Sequence, residues 1–264
     1  MRFADYSLLQ ILVGSIFVFS GAIEIGRWYG VRARSQGRGS VSTLEGSILG
    51  LLALIIAFTF AVALSRFEAR RESVLNEANA IGTTALRARL LPAPHSQECL
   101  KLLRNYAQLR LDLTQSILSP PDLKRTNAQS SAIQEALWLQ VKAVTAKNNG
   151  MVPTGLFIQS LNEMIDYHEK HLIALISGVP NIALIVLYGV AIIASAFAGY
   201  AAGVEEQRSR APIYAAMALF TAVILLIQDL DRPTGGFITA SQRPMQDVAA
   251  SIAAYTEAET LSPP

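Results

Sequence analysis

Residues 46–91 read GSILGLLALIIAFTFAVALSRFEARRESVLNEANAIGTTALRARLL. The first part, Gly46 to Leu64, runs 19 residues without a charge, close to the roughly 20 apolar residues that carry a helix across a bilayer. No proline interrupts Ser47 to Leu91, and Gly50 and Gly82 are its only glycines. One helix over that stretch extends about 66 Å at 1.5 Å per residue, roughly twice the ~30 Å hydrocarbon core. The stretch therefore predicts a membrane span that continues into water as a rigid stalk.

Three further stretches have the length and composition of spans: Leu8 to Ile25, Ile182 to Ala202 and Ala211 to Ile227. Glu24 closes the first where an apolar leader core should end, so it reads as a span rather than a removable leader. The whole chain agrees. Of its 264 residues 52% are hydrophobic and only 16% charged, with a mean hydropathy of +0.35, whereas soluble domains run to about a quarter charged. The charge concentrates between the second and third spans. Residues 65–172 hold 13 Lys/Arg and 10 Asp/Glu, 23 of the 42 charged side chains. The layout is an all-α membrane protein with four parts: residues 1–64 (spans one and two), 65–178 (a helical bundle), 179–230 (spans three and four) and 231–264 (a turn and an amphipathic helix near Met245 to Glu257).

Proline punctuates the bundle at Leu91-Pro92-Ala93-Pro94, at Ser119-Pro120-Pro121-Asp122 and at Asn148-Asn149-Gly150-Met151-Val152-Pro153. Between these breaks, apolar residues recur at helical spacing. Phe67, Val74, Ala78, Ile81, Ala85 and Ala88 form one stripe; Leu102, Tyr106, Leu109, Leu113 and Ile117 form another; Leu156, Phe157, Leu161, Met164 and Ile165 follow Thr154. Val74, Ala78, Ile81 and Ala85 are narrow and small, which suits a helix neighbour from another subunit, so they are the expected assembly seam. In the third span Ala191, Ser195, Gly199 and Gly203 recur every four residues. Such rows let helices approach closely, either within one subunit or between subunits. Pro180-Asn181 breaks the chain before that span.

Side chains able to do chemistry are few. A single cysteine, Cys99, excludes an internal disulfide and a multi-thiolate metal site. His168 and His171, with Glu163 and Glu169 nearby, share one side of a helix, but His-Glu-Lys-His lacks the spacing of the zinc protease helix. Solvated or interfacial histidines are the plainer reading. No Gly-rich phosphate loop or nucleophile elbow occurs, and no basic arm with interleaved aromatics suggests nucleic acid. Glu24 reads as an interfacial acid or an ion-path acid. Asp229, Asp231 and Arg232 read as caps and pairs at the end of the fourth span. No enzyme, cofactor or metal follows from these residues.

Gly50-Leu-Leu-Ala-Leu-Ile-Ile-Ala-Phe58, then Ser65-Arg-Phe-Glu-Ala-Arg-Arg71 and Asn76-Glu-Ala-Asn79, resembles the second-helix region of bacterial bestrophins. Asp231-Arg-Pro-Thr-Gly-Gly-Phe237, with Pro244 and Asp247, is similar to their Pro-Phe-Gly turn and the segment after it. With four spans and a helical insert, the chain resembles the bestrophin-like domain family of bacterial membrane proteins. It departs in lacking tryptophans after Arg66 and an acidic calcium clasp after Pro233. The resemblance implies a homopentameric ion channel in the inner membrane, with its insert and both termini in the cytosol. It places a hydrophobic pore neck on the second span at Gly50, Leu54 and Phe58, which share a helix face at i, i+4 and i+8.

Phe58, the bulkiest of the three, is expected to make the tightest ring, although lipid or a neighbouring helix could equally cover that face. Glu45 and Arg66 would be the pore mouths, and their opposite signs leave ion preference open. The expected partners are the bilayer, further copies of the chain and small ions. The alternative function is a non-conducting scaffold or sensor whose bundle docks a partner. Charge alone leaves the orientation undecided. Arg27, Arg32, Arg34, Arg38, Arg208 and Arg210 flank the spans on one side, against Arg2, Arg66, Arg70, Arg71, Lys170, Arg232 and Arg243 on the other. Cys99 is the natural labelling reporter for the insert.

Overall fold

The computed structural model describes residues 6–36, 42–115, 120–147, 150, 152–205 and 209–261. Arg2, Arg38, Ile117, Ser119, Asn148, Asn149, Met151 and Arg208, all used above, lie outside the described residues, as does the side chain of Leu113. Among the described residues the structure is all-helical: α1 (Leu8–Ser35), α2 (Ser42–Ala88), α3 (His95–Gln115), α4 (Pro120–Lys147), α5 (Val152–Ile176), α6 (Asn181–Val204), α7 (Ala211–Asp231) and α8 (Arg243–Leu261). Four stretches are long and apolar enough to cross a membrane: Leu8–Ser35, Thr43–Ala88, Val152–Val204 (whose uncharged part is α6) and Ala211–Asp231. α2 is a single helix of 47 residues, roughly 70 Å long.

The chain divides into two compact units. One comprises Met1–Phe67, Gly178–Arg232 and Gly236–Ile238; the other comprises Glu68–Ser177, Pro233–Gly235 and Thr239–Pro264. The first unit holds α1, the apolar part of α2, α6 and α7. α1 begins with a capping box, in which the Ser7 hydroxyl accepts from the Gln10 amide and the Gln10 side chain accepts from the Ser7 amide. It runs ten residues past Ile25, so Glu24 sits inside the helix, where its carboxylate accepts from the Tyr214 hydroxyl at 2.8 Å and lies 3.7 Å from Arg210.

α1 and α6 meet through glycine. A methyl group on Gly26 would overlap the Ala196 carbonyl, and one on Gly30 would overlap that of Tyr200. In return, methyls on Gly199 and Gly203 would overlap the carbonyls of Ile23 and Arg27. Lipid gives helices no hydrophobic reason to associate, so close backbone contact supplies the attraction. The small-residue row of α6 is thus used within one chain. Beside it, Leu52, Ile56 and Ala63 of α2 pack with Leu184, Leu187, Ala191, Ile224 and Ile227 from α6 and α7.

At the exit of α7 the Asp229 carboxylate accepts the backbone N–H groups of Phe237 and Ile238 at 2.8 and 2.9 Å. A Cβ on Gly236 would stand against that carboxylate, which accounts for the glycine ahead of Phe237. Asp231 accepts the Val179 N–H at 2.6 Å, and Arg232 donates to the Tyr6 carbonyl. These residues cap and tie chain ends; each has a local structural partner.

The second unit is a bundle of the remainder of α2 with α3, α4, α5 and α8. Its core joins Ala78, Ile81 and Ala85 to Leu100, Leu103, Leu137, Phe157, Leu161, Met164, Met245, Val248 and Ile252. Val74, Ala78, Ile81 and Ala85 are at most 3% exposed in the single chain, because α3, α5 and α8 of the same subunit already cover that stripe. Small residues there serve close packing inside the bundle. Cys99 is also fully buried, and burial pushes its thiol up to about 12, so it is unsuited as a labelling reporter.

The glycine contact predicts a contrast between two substitutions. Gly199→Ala should lower the melting midpoint of the detergent-solubilised protein, with a cost of about 1–3 kcal/mol for overpacking. Gly14→Ala, on the same α1–α6 unit but with open space around its added methyl, should leave the midpoint unchanged or slightly raised. Equal midpoints in a thermal-shift assay would show that the α1–α6 contact relaxes without cost.

Candidate functional site

The candidate pore residues all lie on the apolar part of α2. Leu52, Ile56, Thr59 and Ala63 turn inward at spacings of four, three and four, and are buried. Gly50, Leu54 and Phe58 turn the other way. Leu54 is 52% exposed and Phe58 65% exposed, and a methyl on Gly50 would meet no atom within 4 Å. A single chain therefore leaves this face without a protein partner. Arg66 is exposed at the far end of the same helix run. Glu45 is the other residue expected at a pore mouth. It lies two turns before Leu52, on that residue's inward side, and is only 5% exposed.

The second unit contains a charged cluster that the sequence reading missed. Glu77 of α2 has no exposed surface. Its Oε1 lies 2.8 Å from Arg110 Nε, accepts from the Tyr106 hydroxyl at 3.3 Å and lies 3.4 Å from His168 Nδ1. Its Oε2 accepts from Arg110 Nη2 at 3.1 Å and lies 2.5 Å from His171 Nδ1. α4 closes the cluster. Gln134 donates to the Tyr106 hydroxyl at 3.4 Å, and Asn127 Oδ1 stands 2.9 Å from His168 Nε2.

Burial by itself would raise the Glu77 carboxyl's pKa. Arg110 and the hydrogen bonds from His168 and His171 outweigh it and hold the group well below the usual carboxylate range. Glu77 is therefore ionised. Burial, followed by the Glu77 charge, pushes the Tyr106 hydroxyl well above its ordinary range. The carboxylate, carried on α2, is held from α3 and α5 at once and has no exposed surface.

The two histidines are not solvated. His168 and His171 are at most 1% exposed, whereas Glu163 and Glu169 face outward. Among the described residues no group of three His, Cys, Asp or Glu is placed to hold a metal. A sequence signal for the cluster did exist. Glu77 falls inside the stripe of Val74, Ala78 and Ile81, and Arg110 falls one turn after buried Tyr106. A charge on an apolar stripe requires a buried counter-charge.

Two clefts open on the first unit. One, of about 350 Å³, lies among Tyr6, Gln10, Ser15, Tyr188 and Ile192. The other, of about 440 Å³, lies among Leu8, Leu12, Leu225, Asp229 and Phe237. Both are walled chiefly by apolar side chains, and the Asp229 carboxylate is already taken by two backbone amides. Neither brings together a nucleophile and a base.

The model of the bestrophin-like domain matches residues 15–245. The chain belongs to the bestrophin-like family. Its fold is similar to crystal structures of a bacterial bestrophin homologue from Klebsiella pneumoniae. One single-substitution variant of that protein matches with a TM-score of 0.72 at 13% identity, over 94% of this chain and 98% of the other. Another matches with a TM-score of 0.68 at 15% identity, over 97% and 100%. No curated protein matches the sequence. Likeness at this identity is likeness of fold.

Glu77→Gln removes the negative charge that faces buried Arg110 and should destabilise the bundle by about 3–5 kcal/mol. The parent should also lose stability in acid. Above about pH 4.3, the ordinary glutamate value, Glu77 is ionised in folded and unfolded chains alike and its contribution is complete. Below that, the unfolded chain takes up a proton that the folded chain refuses, so stability falls. Circular-dichroism melts on either side of that pH should show a steep decline in the parent and a shallower one in Glu77→Gln.

Proposed function

We propose that this bestrophin-like protein assembles into a ring, a homopentamer on the family pattern, and conducts small ions along an axial pore lined by α2. The observation that carries the reading is the outward face of α2. Leu54 and Phe58 are more than half exposed while the opposite side of the helix packs inside the subunit. Copies related by a rotation axis would bring that face to the centre, where Gly50, Leu54 and Phe58 become successive rings. With no charge between Glu45 and Arg66, such a neck selects by width and dewetting. Phe58 makes the narrowest ring, and Arg66 supplies a charge beyond it. This is a transport function with no chemical step.

In this reading the protein lies in the inner membrane, with the helical insert and both termini in the cytosol. The scaffold alternative draws on a different observation: Leu75, Leu86, Leu90 and Leu139 of the insert are each close to half exposed, and a docked partner would cover them.

Mass photometry of the detergent-extracted protein should give a closed ring, and planar-bilayer recording should give currents. Phe58→Ala should raise unitary conductance with the ring intact, and Leu54→Ala should do so more weakly. A monomer, or a Phe58→Ala ring whose currents match the parent's, removes this neck; an intact ring that carries no current favours the scaffold. For orientation, Ala128 is exposed on α4. Ala128→Cys should resist an impermeant maleimide in intact cells and react after lysis. Equal rates in the two conditions would reverse the topology.

A further inference from the structure

We infer that the Arg-rich end of α1 is a docking surface for anionic phospholipid headgroups. This inference rests on the chain's membrane spans alone and stands whether or not the ring conducts. α1 has 28 residues, about 42 Å of helix, against a hydrocarbon core of about 30 Å. Part of it must therefore lie at headgroup depth. Its exposed residues show which part: Leu9, Val13, Phe17 and Ile25 give way to Trp28 and Tyr29, both more than half exposed, and then to exposed Arg32 and Arg34. Tryptophan and tyrosine settle at the membrane–water boundary, where the ring is half in hydrocarbon and its polar edge in water.

These aromatics also hold a cation at that depth. The Arg32 guanidinium sits 4.6 Å over the Trp28 ring, and Tyr29 meets Trp28 edge-on at 4.8 Å. A guanidinium stacked by its face keeps its N–H edge available, and that edge matches a phosphate with two parallel hydrogen bonds. Every cationic side chain at this end is an arginine: Arg27, Arg32 and Arg34 on α1, and Arg210 before α7.

The acidic groups nearby do not cancel Arg32. Glu24 is engaged by Tyr214 and lies near Arg210. Glu45 is turned inward. The opposite end of α7 differs, since Asp229 and Asp231 accompany Arg232 there. Positive charge beside an aromatic anchor is thus a property of the α1 end, and an anionic headgroup complements it.

Trp28 is itself the reporter. In a Trp138→Phe background it is the one tryptophan left. The full-length protein is reconstituted in phosphatidylcholine vesicles containing, at equal mole fraction, dibrominated phosphatidylglycerol or dibrominated phosphatidylcholine. Trp28 emission should be quenched more strongly by the phosphatidylglycerol. The preference should weaken as salt is raised, and in Arg32→Gln its affinity ratio should drop by about fivefold, the effect of one cation near an anionic surface. Equal quenching by the two lipids in the Arg32 protein overturns the proposal without recourse to any arginine variant. An Arg32→Gln protein with the same preference overturns it as well.

Discussion

The first unit rests on the contact between α1 and α6, where backbone meets backbone. Gly26 and Gly30 from one helix and Gly199 and Gly203 from the other leave no room even for a methyl group. In water a helix pair can rely on burying apolar surface, but lipid tails are as apolar as the helices. Association must therefore come from dispersion at close range. Only glycine permits that range. With α1 and α6 locked together, the inward side of α2 and the length of α7 pack beside them, and the outward side of α2 is left for other neighbours.

The second unit answers a different solvent and relies on a different device. Its helices bury ordinary apolar stripes around Ile81, Leu103, Phe157 and Leu161, and a core of that kind tolerates sliding. The Glu77 cluster does not. An ionised carboxylate without exposure demands partners at defined positions, and Arg110, Tyr106, His168 and His171 supply them from α3 and α5. A buried ion pair adds little net stability compared with a well-packed apolar substitute. Its value here is register: a shift of one turn in α3 or α5 would leave charge unpaired in the core.

Function follows from what these two arrangements leave uncovered. The bundle's small-residue stripe and the small-residue row of α6 both pack inside the subunit. The outward side of α2, with Leu54 and Phe58, remains apolar and exposed. At the end of α1, aromatic and arginine side chains are exposed together.

Composition and periodicity alone determined the four spans, the long second helix, the helical insert and the proline breaks, because backbone hydrogen bonding and bilayer thickness act on local sequence. The stretches around Gly50–Phe58 and Asp231–Phe237 were enough to recognise the bestrophin-like family. Which partner each stripe meets was settled only in three dimensions. Val74, Ala78, Ile81 and Ala85 have the composition of a seam between copies and lie in their own subunit's core; Glu45 has the position of a pore mouth and turns inward; His168 and His171 read as solvated and surround a buried carboxylate. In each case the periodicity of one helix specifies a face but carries no information about what lies opposite. That is decided by residues dozens of positions away, which meet only when the helices pack.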